Sequence, residues 1–73
     1  MAEFTVRAEL AGRVLSLSGD IGATITSGDE IALIESMKME IPIVASVNGK
    51  IAAILVQVDD LIEEGQPVLT IET

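Results

Sequence analysis

The residues with potential for chemistry are concentrated in one short segment, Glu35-Ser36-Met37-Lys38-Met39-Glu40. The lysine at its centre is flanked first by two methionines and then by residues with acidic or hydroxyl side chains. A solvated lysine amine is a weak nucleophile, because it is protonated near neutral pH. Lys38 is therefore a poor candidate for a catalytic Schiff-base lysine. It is better suited to be a residue that another enzyme acylates.

Apolar segments on both sides of this hexapeptide, 31–34 and 41–44, have the composition of β-strands and place Lys38 at the tip of a hairpin. The favoured two-residue turns need positive φ at both central residues and are usually Asn-Gly, which Met37-Lys38 is not. A local rule that is broken without a gain in stability indicates function. Met37 and Met39 cannot both be buried at such a tip, and exposed thioethers are common on recognition surfaces.

The composition of the 73-residue chain excludes several classes of function. Four Lys/Arg against twelve Asp/Glu give a net charge of −8, so neither nucleic acid nor an anionic membrane surface is an expected partner. The chain has no Cys and no His, which removes the commonest metal ligands and general bases, and we expect a non-enzyme. It has neither a signal-peptide pattern nor an apolar run of about 20 residues, so the expected location is cytoplasmic.

Short aliphatic segments alternate with turn residues along the whole chain and predict one all-β domain over residues 1–73. The only aromatic residue is Phe4, so the core must consist of Ile, Val, Leu and Ala. Phe4, Val6 and Ala8 alternate with polar residues, as in a strand with one buried face. Asn48-Gly49 is the strongest short-range signal for a hairpin turn.

The sequence repeats itself when it is shifted by 37 residues. Gly12 falls on Gly49, Arg13 on Lys50, and further glycines and aliphatic residues match without a gap. This pattern predicts two similar β units, 12–35 and 49–72, packed against each other about an approximate two-fold axis. The segment from Ser36 to Ser46 joins them and has no counterpart in this alignment.

The hexapeptide around Lys38 resembles the attachment sequence of biotinyl domains, the carrier modules of biotin-dependent carboxylases. The segments 22–28 and 59–65 resemble the two related turn motifs of that family, and the likeness covers nearly the whole chain. It is strongest to the small free-standing biotin/lipoyl attachment proteins. The resemblance implies an all-β flattened barrel, or sandwich, of two four-stranded antiparallel sheets with pseudo-two-fold symmetry and the lysine on an exposed hairpin.

The resemblance also implies a biotin carboxyl carrier function. A biotin protein ligase, recognising Glu35, Ser36 and Glu40, would attach biotin to Lys38 through an amide bond. Biotin carboxylase would then carboxylate the biotin ring, and carboxyltransferase would pass the carboxyl group to an acceptor, usually an acyl-CoA. In the family, the methionines at the positions of Met37 and Met39 assist recognition of the lysine and reaction of its biotin. The domain would be a monomer in isolation.

Two alternatives of different kinds stay open. Lipoyl domains share the implied fold, but their usual attachment sequence is Asp-Lys-Ala, so Met37 and Met39 favour biotin over lipoate. The other alternative is an unmodified β-sandwich that serves as an interaction module. The mass of the protein from its natural host separates these possibilities.

Overall fold

The computed structural model describes residues 2–73 and consists of two four-stranded antiparallel sheets. The order in one sheet is β1-β8-β6-β3, and the order in the other is β5-β4-β2-β7. This architecture confirms the predicted all-β sandwich. The strands are β1 (Glu3–Arg7), β2 (Gly12–Leu17), β3 (Thr24–Ile25), β4 (Glu30–Ser36), β5 (Met39–Val44), β6 (Gly49–Ile54), β7 (Leu61–Ile62) and β8 (Pro67–Glu72).

The core lies between the two sheets and is made of small and branched aliphatic side chains. Its largest fully buried members come from both sheets: Ile31, Ile51, Leu69, Ile71, Val14 and Val68. No charged or polar residue is buried among the residues that the structure describes. Branched side chains suit this position because they pack well on a pleated surface. The core therefore needs no aromatic residue, as the composition predicts.

Strand pairing repeats with the same offset of 37 residues as the sequence. Arg13 lies opposite Glu35 where β2 pairs with β4, and Lys50 lies opposite Glu72 where β6 pairs with β8. A bulge interrupts both pairings at the same place, between Val14 and Ser16 in one and between Ile51 and Ala53 in the other. The two units therefore share a register as well as a hydrophobic pattern.

The expectation that the segment 36–46 has no counterpart is wrong. Strand β5 corresponds to β1 with the same offset: Glu40 lies opposite Glu35, as Glu3 lies opposite Glu72. The equivalence is hard to see in the sequence because the side chains differ, for example Pro42 against Thr5. The correspondence therefore extends beyond the predicted units 12–35 and 49–72.

Gly12 and Gly49 occupy equivalent places where two backbones approach closely. A Cβ atom on Gly12 would overlap the carbonyl oxygen of Glu35 and lie 2.6 Å from Cγ2 of Ile34. A Cβ atom on Gly49 would overlap the carbonyl oxygen of Glu72 and lie 2.7 Å from Cγ2 of Ile71. Each glycine is therefore required by close packing, since neither has positive φ.

The prediction of a hairpin turn at Asn48-Gly49 is wrong. Strand β5 belongs to one sheet and β6 to the other, so residues 45–48 carry the chain between sheets. Asn48 accepts a hydrogen bond through Oδ1 from the backbone N–H of Ser27 at 2.7 Å. Its side chain thus ties this crossover to a neighbouring loop.

We expect Gly12→Ala and Gly49→Ala to destabilise the fold by similar amounts, about 1–3 kcal/mol, because backbone atoms must move to admit the new methyl group. Urea unfolding of both variants measures this difference. Ser16→Ala, at a partly exposed strand position, is the control and should be nearly neutral. A stable Gly12→Ala variant beside a destabilised Gly49→Ala variant would contradict the structural equivalence.

Candidate functional site

The hairpin formed by β4 and β5 ends in a turn of two residues, Met37 and Lys38. Ser36 lies opposite Met39 as the last pair of the ladder. Met37 has φ of 52° and Lys38 has φ of 66°, so both adopt the left-handed conformation of a type I′ turn. The structure thus confirms the exposed lysine hairpin, in the turn geometry that Asn-Gly would favour.

The backbone of this turn is strained, because neither Met37 nor Lys38 is a residue type that favours positive φ. A left-handed conformation costs a side chain with a Cβ atom about 1–2 kcal/mol, and here two consecutive residues adopt it. Strain of this kind persists only where the surrounding structure enforces it, and it is concentrated at functional sites. The six pairs between β4 and β5 supply that enforcement.

The side chains of the tip point into solvent. Met37 is 92% exposed and Met39 is 64% exposed, and Lys38 is also exposed. Within residues 2–73, the Lys38 amine has no hydrogen bond and no ion pair. The amine is therefore free to reach a reagent that approaches from outside, which is what modification by a second protein requires.

An ion-pair network lies beside the tip and centres on Arg13. Its Nη1 donates to Oδ1 of Asp59 at 2.7 Å, and its Nη2 donates to Oε1 of Glu35 at 3.3 Å. Glu35 also faces Glu40 across the hairpin, and like charges directly opposite each other repel. Arg13 offsets part of this repulsion, although all these groups are partly exposed and each pair contributes little.

The contact of Asp59 with Arg13 was not predicted from the sequence, where Asp59 stands out only as the first residue of the turn motif 59–65. Asp59 has φ of 78°, whereas Gly22 has φ of 92° at the equivalent place in the other unit. Glycine would therefore adopt this backbone conformation at lower cost than Asp59 does. The carboxylate of Asp59 instead accepts the hydrogen bond from Arg13. The signal available in the sequence was that Asp59 stands at the place of Gly22 in the repeat.

The predicted recognition residues are brought together by the hairpin. Glu35, Ser36, Met37 and Met39 lie on its two strands and turn, with Glu40 opposite Glu35.

A shallow groove borders the tip on the side of β2 and β7, and Met37, Leu61 and Arg13 are among the residues that line it. Leu61 is 79% exposed, which is high for a leucine in a strand.

Neither a metal-binding cluster nor a membrane-spanning helix is found in the part of the chain that the structure describes. Residues 2–73 contain no group of three or more side chains able to hold a metal ion. They also contain no helix of the length and apolar character needed to cross a membrane. Lys38 and its neighbours on the hairpin are therefore the candidate functional site.

The model of the family described as "Biotin-requiring enzyme" matches residues 7–71, which is most of the chain. The chain belongs to the biotin/lipoyl attachment family. This finding confirms the resemblance seen in the sequence around Lys38. It also accounts for the two-sheet fold with a lysine hairpin.

Relatives of similar length support this assignment. The chain is 44% identical over 71 residues to the biotinylated protein TB7.3 homolog of Mycobacterium leprae, covering 97% of this chain and 99% of that protein. It is 38% identical over 65 residues to the biotin/lipoyl attachment protein of Bacillus subtilis, covering 89% of each chain. These proteins are about as long as the chain itself.

Solved structures of large carboxylases contain the same fold. The urea carboxylase of Kluyveromyces lactis superposes with a TM-score of 0.92 and 29% identity, over 99% of this chain and 6% of that chain. A single-chain, multi-domain long-chain acyl-CoA carboxylase superposes with a TM-score of 0.88 and 29% identity, over 93% of this chain and 7% of that chain. The chain therefore corresponds to one small domain of each carboxylase.

We expect Met37→Asn to stabilise the fold by about 0.5–1 kcal/mol, because Asn tolerates the left-handed conformation better than Met does. Chemical denaturation measures the change. Met39→Asn is the matched control, since position 39 lies in a strand, where Asn is unfavourable. Equal stabilities of Met37→Asn and the wild type would show that the turn is not strained at position 37.

Proposed function

We propose that biotin is attached to the Nζ atom of Lys38 through an amide bond. The observation that supports this most strongly is the exposed Lys38 in a strained two-residue turn, unpaired within residues 2–73, on a chain of the biotin/lipoyl attachment family. In the reaction, the amine loses a proton and bonds to the activated carboxyl carbon of biotin, from which the activating group departs. Modification removes one positive charge and changes the net charge from −8 to −9.

We assign recognition by the biotin protein ligase to the residues around the lysine. Met37 and Met39 present flexible apolar side chains on either side of it, and such side chains adapt to a partner surface. Glu35, Ser36 and Glu40 lie at the next positions of the same hairpin. All five residues can contact a ligase that brings an activated carboxyl group to Lys38, because they stand within one or two pairs of the turn.

The modified domain would act as a carrier and not as a catalyst. A long side chain on a compact body raises the effective concentration of its cargo at two separate active sites. Those sites would be biotin carboxylase, which carboxylates the ring, and carboxyltransferase, which transfers the carboxyl group to an acceptor such as an acyl-CoA. The superposition on domains of a urea carboxylase and an acyl-CoA carboxylase supports this proposal.

The charge of the chain fits transient encounters with such partners. A net charge of −8 steers the domain toward basic surfaces and affects the association rate more than the affinity. We propose that the domain is a monomer, because a monomeric carrier can visit two active sites one after the other. Both the ligase and biotin carboxylase consume ATP, so we propose that the domain acts in the cytoplasm, where ATP is available.

Lipoate is the second candidate for the group on Lys38. The observation that favours it is the name of the Bacillus subtilis relative, a biotin/lipoyl attachment protein. The methionines at positions 37 and 39 favour biotin. Intact mass distinguishes the two groups because biotinyl and lipoyl additions differ in mass.

We expect Lys38→Arg to keep the fold and to abolish biotin addition, because the guanidinium is not acylated and arginine accepts the turn as lysine does. Streptavidin blotting after co-expression with a biotin protein ligase measures the addition. Lys50→Arg is the matched control, at an exposed strand position, and should label like the wild type. An unlabelled wild type beside an established biotin domain that is labelled would instead favour the unmodified interaction module.

We expect Met39→Ala to leave the stability nearly unchanged, since this side chain is 64% exposed, and to lower carboxylation of the attached biotin several-fold. The rate of ¹⁴C-bicarbonate incorporation by biotin carboxylase into the fully biotinylated variant measures this effect. Val44→Ala, at a half-exposed position of the same strand, is the control. Identical rates for Met39→Ala and the wild type would contradict the role assigned to Met39.

A further inference from the structure

The outer face of the sheet that carries the hairpin has an apolar surface, which we call the hairpin-side face and define by Leu33, Pro42 and Leu61. Leu33 stands between the buried residues Ala32 and Ile34 on β4, so its side chain lies on the opposite side of the sheet. Pro42 lies directly opposite Leu33, and both are outside the core cluster. Leu61 stands beside the buried Ile62 in the same way and is 79% exposed.

The internal symmetry of the fold provides a comparison for this face. The residues that occupy the three equivalent positions on the other sheet are all threonines: Thr70, Thr5 and Thr24. At two neighbouring positions the hairpin-side sheet again has the larger or more apolar side chain. Leu15 is equivalent to Ala52, and Val44 is equivalent to Arg7. Ser16 and Ala53 differ in the opposite sense, by a single hydroxyl group.

The fold itself does not require these apolar side chains. The other sheet has the same register and pairing with threonine at each of the three positions. Leu61 is 79% exposed and Leu33 is half-buried, so the free domain gains almost nothing from burying the first and only part of what burial of the second could give. A strand accepts threonine well. The difference between the faces therefore indicates that the hairpin-side face is covered in a complex.

The charges around the hairpin-side face define the kind of partner that fits it. Glu35 and Glu40 form a row with Arg13 and Leu61 across the tip end of the sheet. Arg13 is already paired with two carboxylates, Glu35 and Asp59. A second copy of the chain would place acidic groups against acidic groups, so the matching surface is an apolar depression bordered by Lys and Arg.

Among the proposed partners, the ligase must approach this face most closely. Acylation requires the Lys38 amine itself to come within bond-forming distance of the reacting carbon. In the later carboxylation steps, a long flexible side chain separates the domain from the active site. The ligase must therefore contact the sheet surface next to the turn, whereas the later enzymes need to reach only the biotin and the tip residues such as Met39.

We propose that the hairpin-side face is a docking surface for the ligase that acylates Lys38, which contacts Leu33 and Leu61 through an apolar depression with a basic rim. This inference rests on the proposed function of Lys38. It extends ligase recognition beyond residues 35–40 to strands β4 and β7. Leu33 and Leu61 are among the residues by which the two halves of the molecule differ.

The test is the Leu33→Thr/Leu61→Thr variant. It replaces the two leucines with the residue type found at the equivalent positions of the other sheet. The initial rate of biotin transfer by the biotin protein ligase of the host is measured at low domain concentration, with biotin and ATP saturating. We expect kcat/KM for the domain to fall about tenfold through a higher KM, with kcat nearly unchanged. Thermal unfolding checks that the variant is folded, and the equivalent threonines of the other sheet indicate that it is.

The matched control is Thr24→Val/Thr70→Val on the other sheet, which should leave kcat/KM unchanged. A Leu33→Thr/Leu61→Thr variant that is biotinylated at the wild-type rate overturns this inference and leaves the proposed function intact. A wild-type domain that the ligase does not biotinylate overturns both. A wild-type dimer in sedimentation velocity that the double variant converts to a monomer also overturns the inference, because a second copy would then cover the face.

Discussion

The structure depends on one constraint, the register of the hairpin between β4 and β5. Because Ser36 pairs with Met39, two residues must reverse the chain, and here both adopt positive φ. The cost of placing Met37 and Lys38 in that conformation is offset by the ladder behind them. In return, the lysine stands at a fixed apex, and its amine has no ion pair with any of residues 2–73. A looser turn with more residues would relieve the strain and lose this fixed position.

The duplication of the fold separates what the structure needs from what the function needs. Positions that support the sandwich match between the halves, such as Gly12 with Gly49 and Val14 with Ile51. At the place equivalent to the last hairpin pair, the backbone of Thr73 donates a hydrogen bond to the carbonyl oxygen of Ala2 at 2.9 Å. The two halves therefore share the pairing that leads up to the turn at Met37 and Lys38. The contact of Asp59 with Arg13 is a difference between the halves, and it lies at the same end of the sheet as this turn.

Much of this arrangement could be predicted from the sequence, for physical reasons. Regular spacing of aliphatic segments and glycines determines both the sheets and the repeat, and Lys38 falls between two strands. The failure at Asn48-Gly49 has an equally physical cause. A position can require glycine either because its φ is positive or because another backbone approaches it closely, and the local sequence does not distinguish these two requirements. The equivalence of β1 and β5 was hidden because the exposed side chains of the two strands differ, which is also the difference that marks the hairpin-side face.

The central claim is that this apex presents Lys38 for covalent attachment of biotin. Fragmentation mass spectrometry of the protein purified from its natural host tests that claim most directly. The account predicts a biotinyl group on the peptide that contains Lys38 and an unmodified Lys50. An unmodified Lys38 in cells whose other biotin proteins are fully labelled, or a lipoyl group there instead, would contradict it.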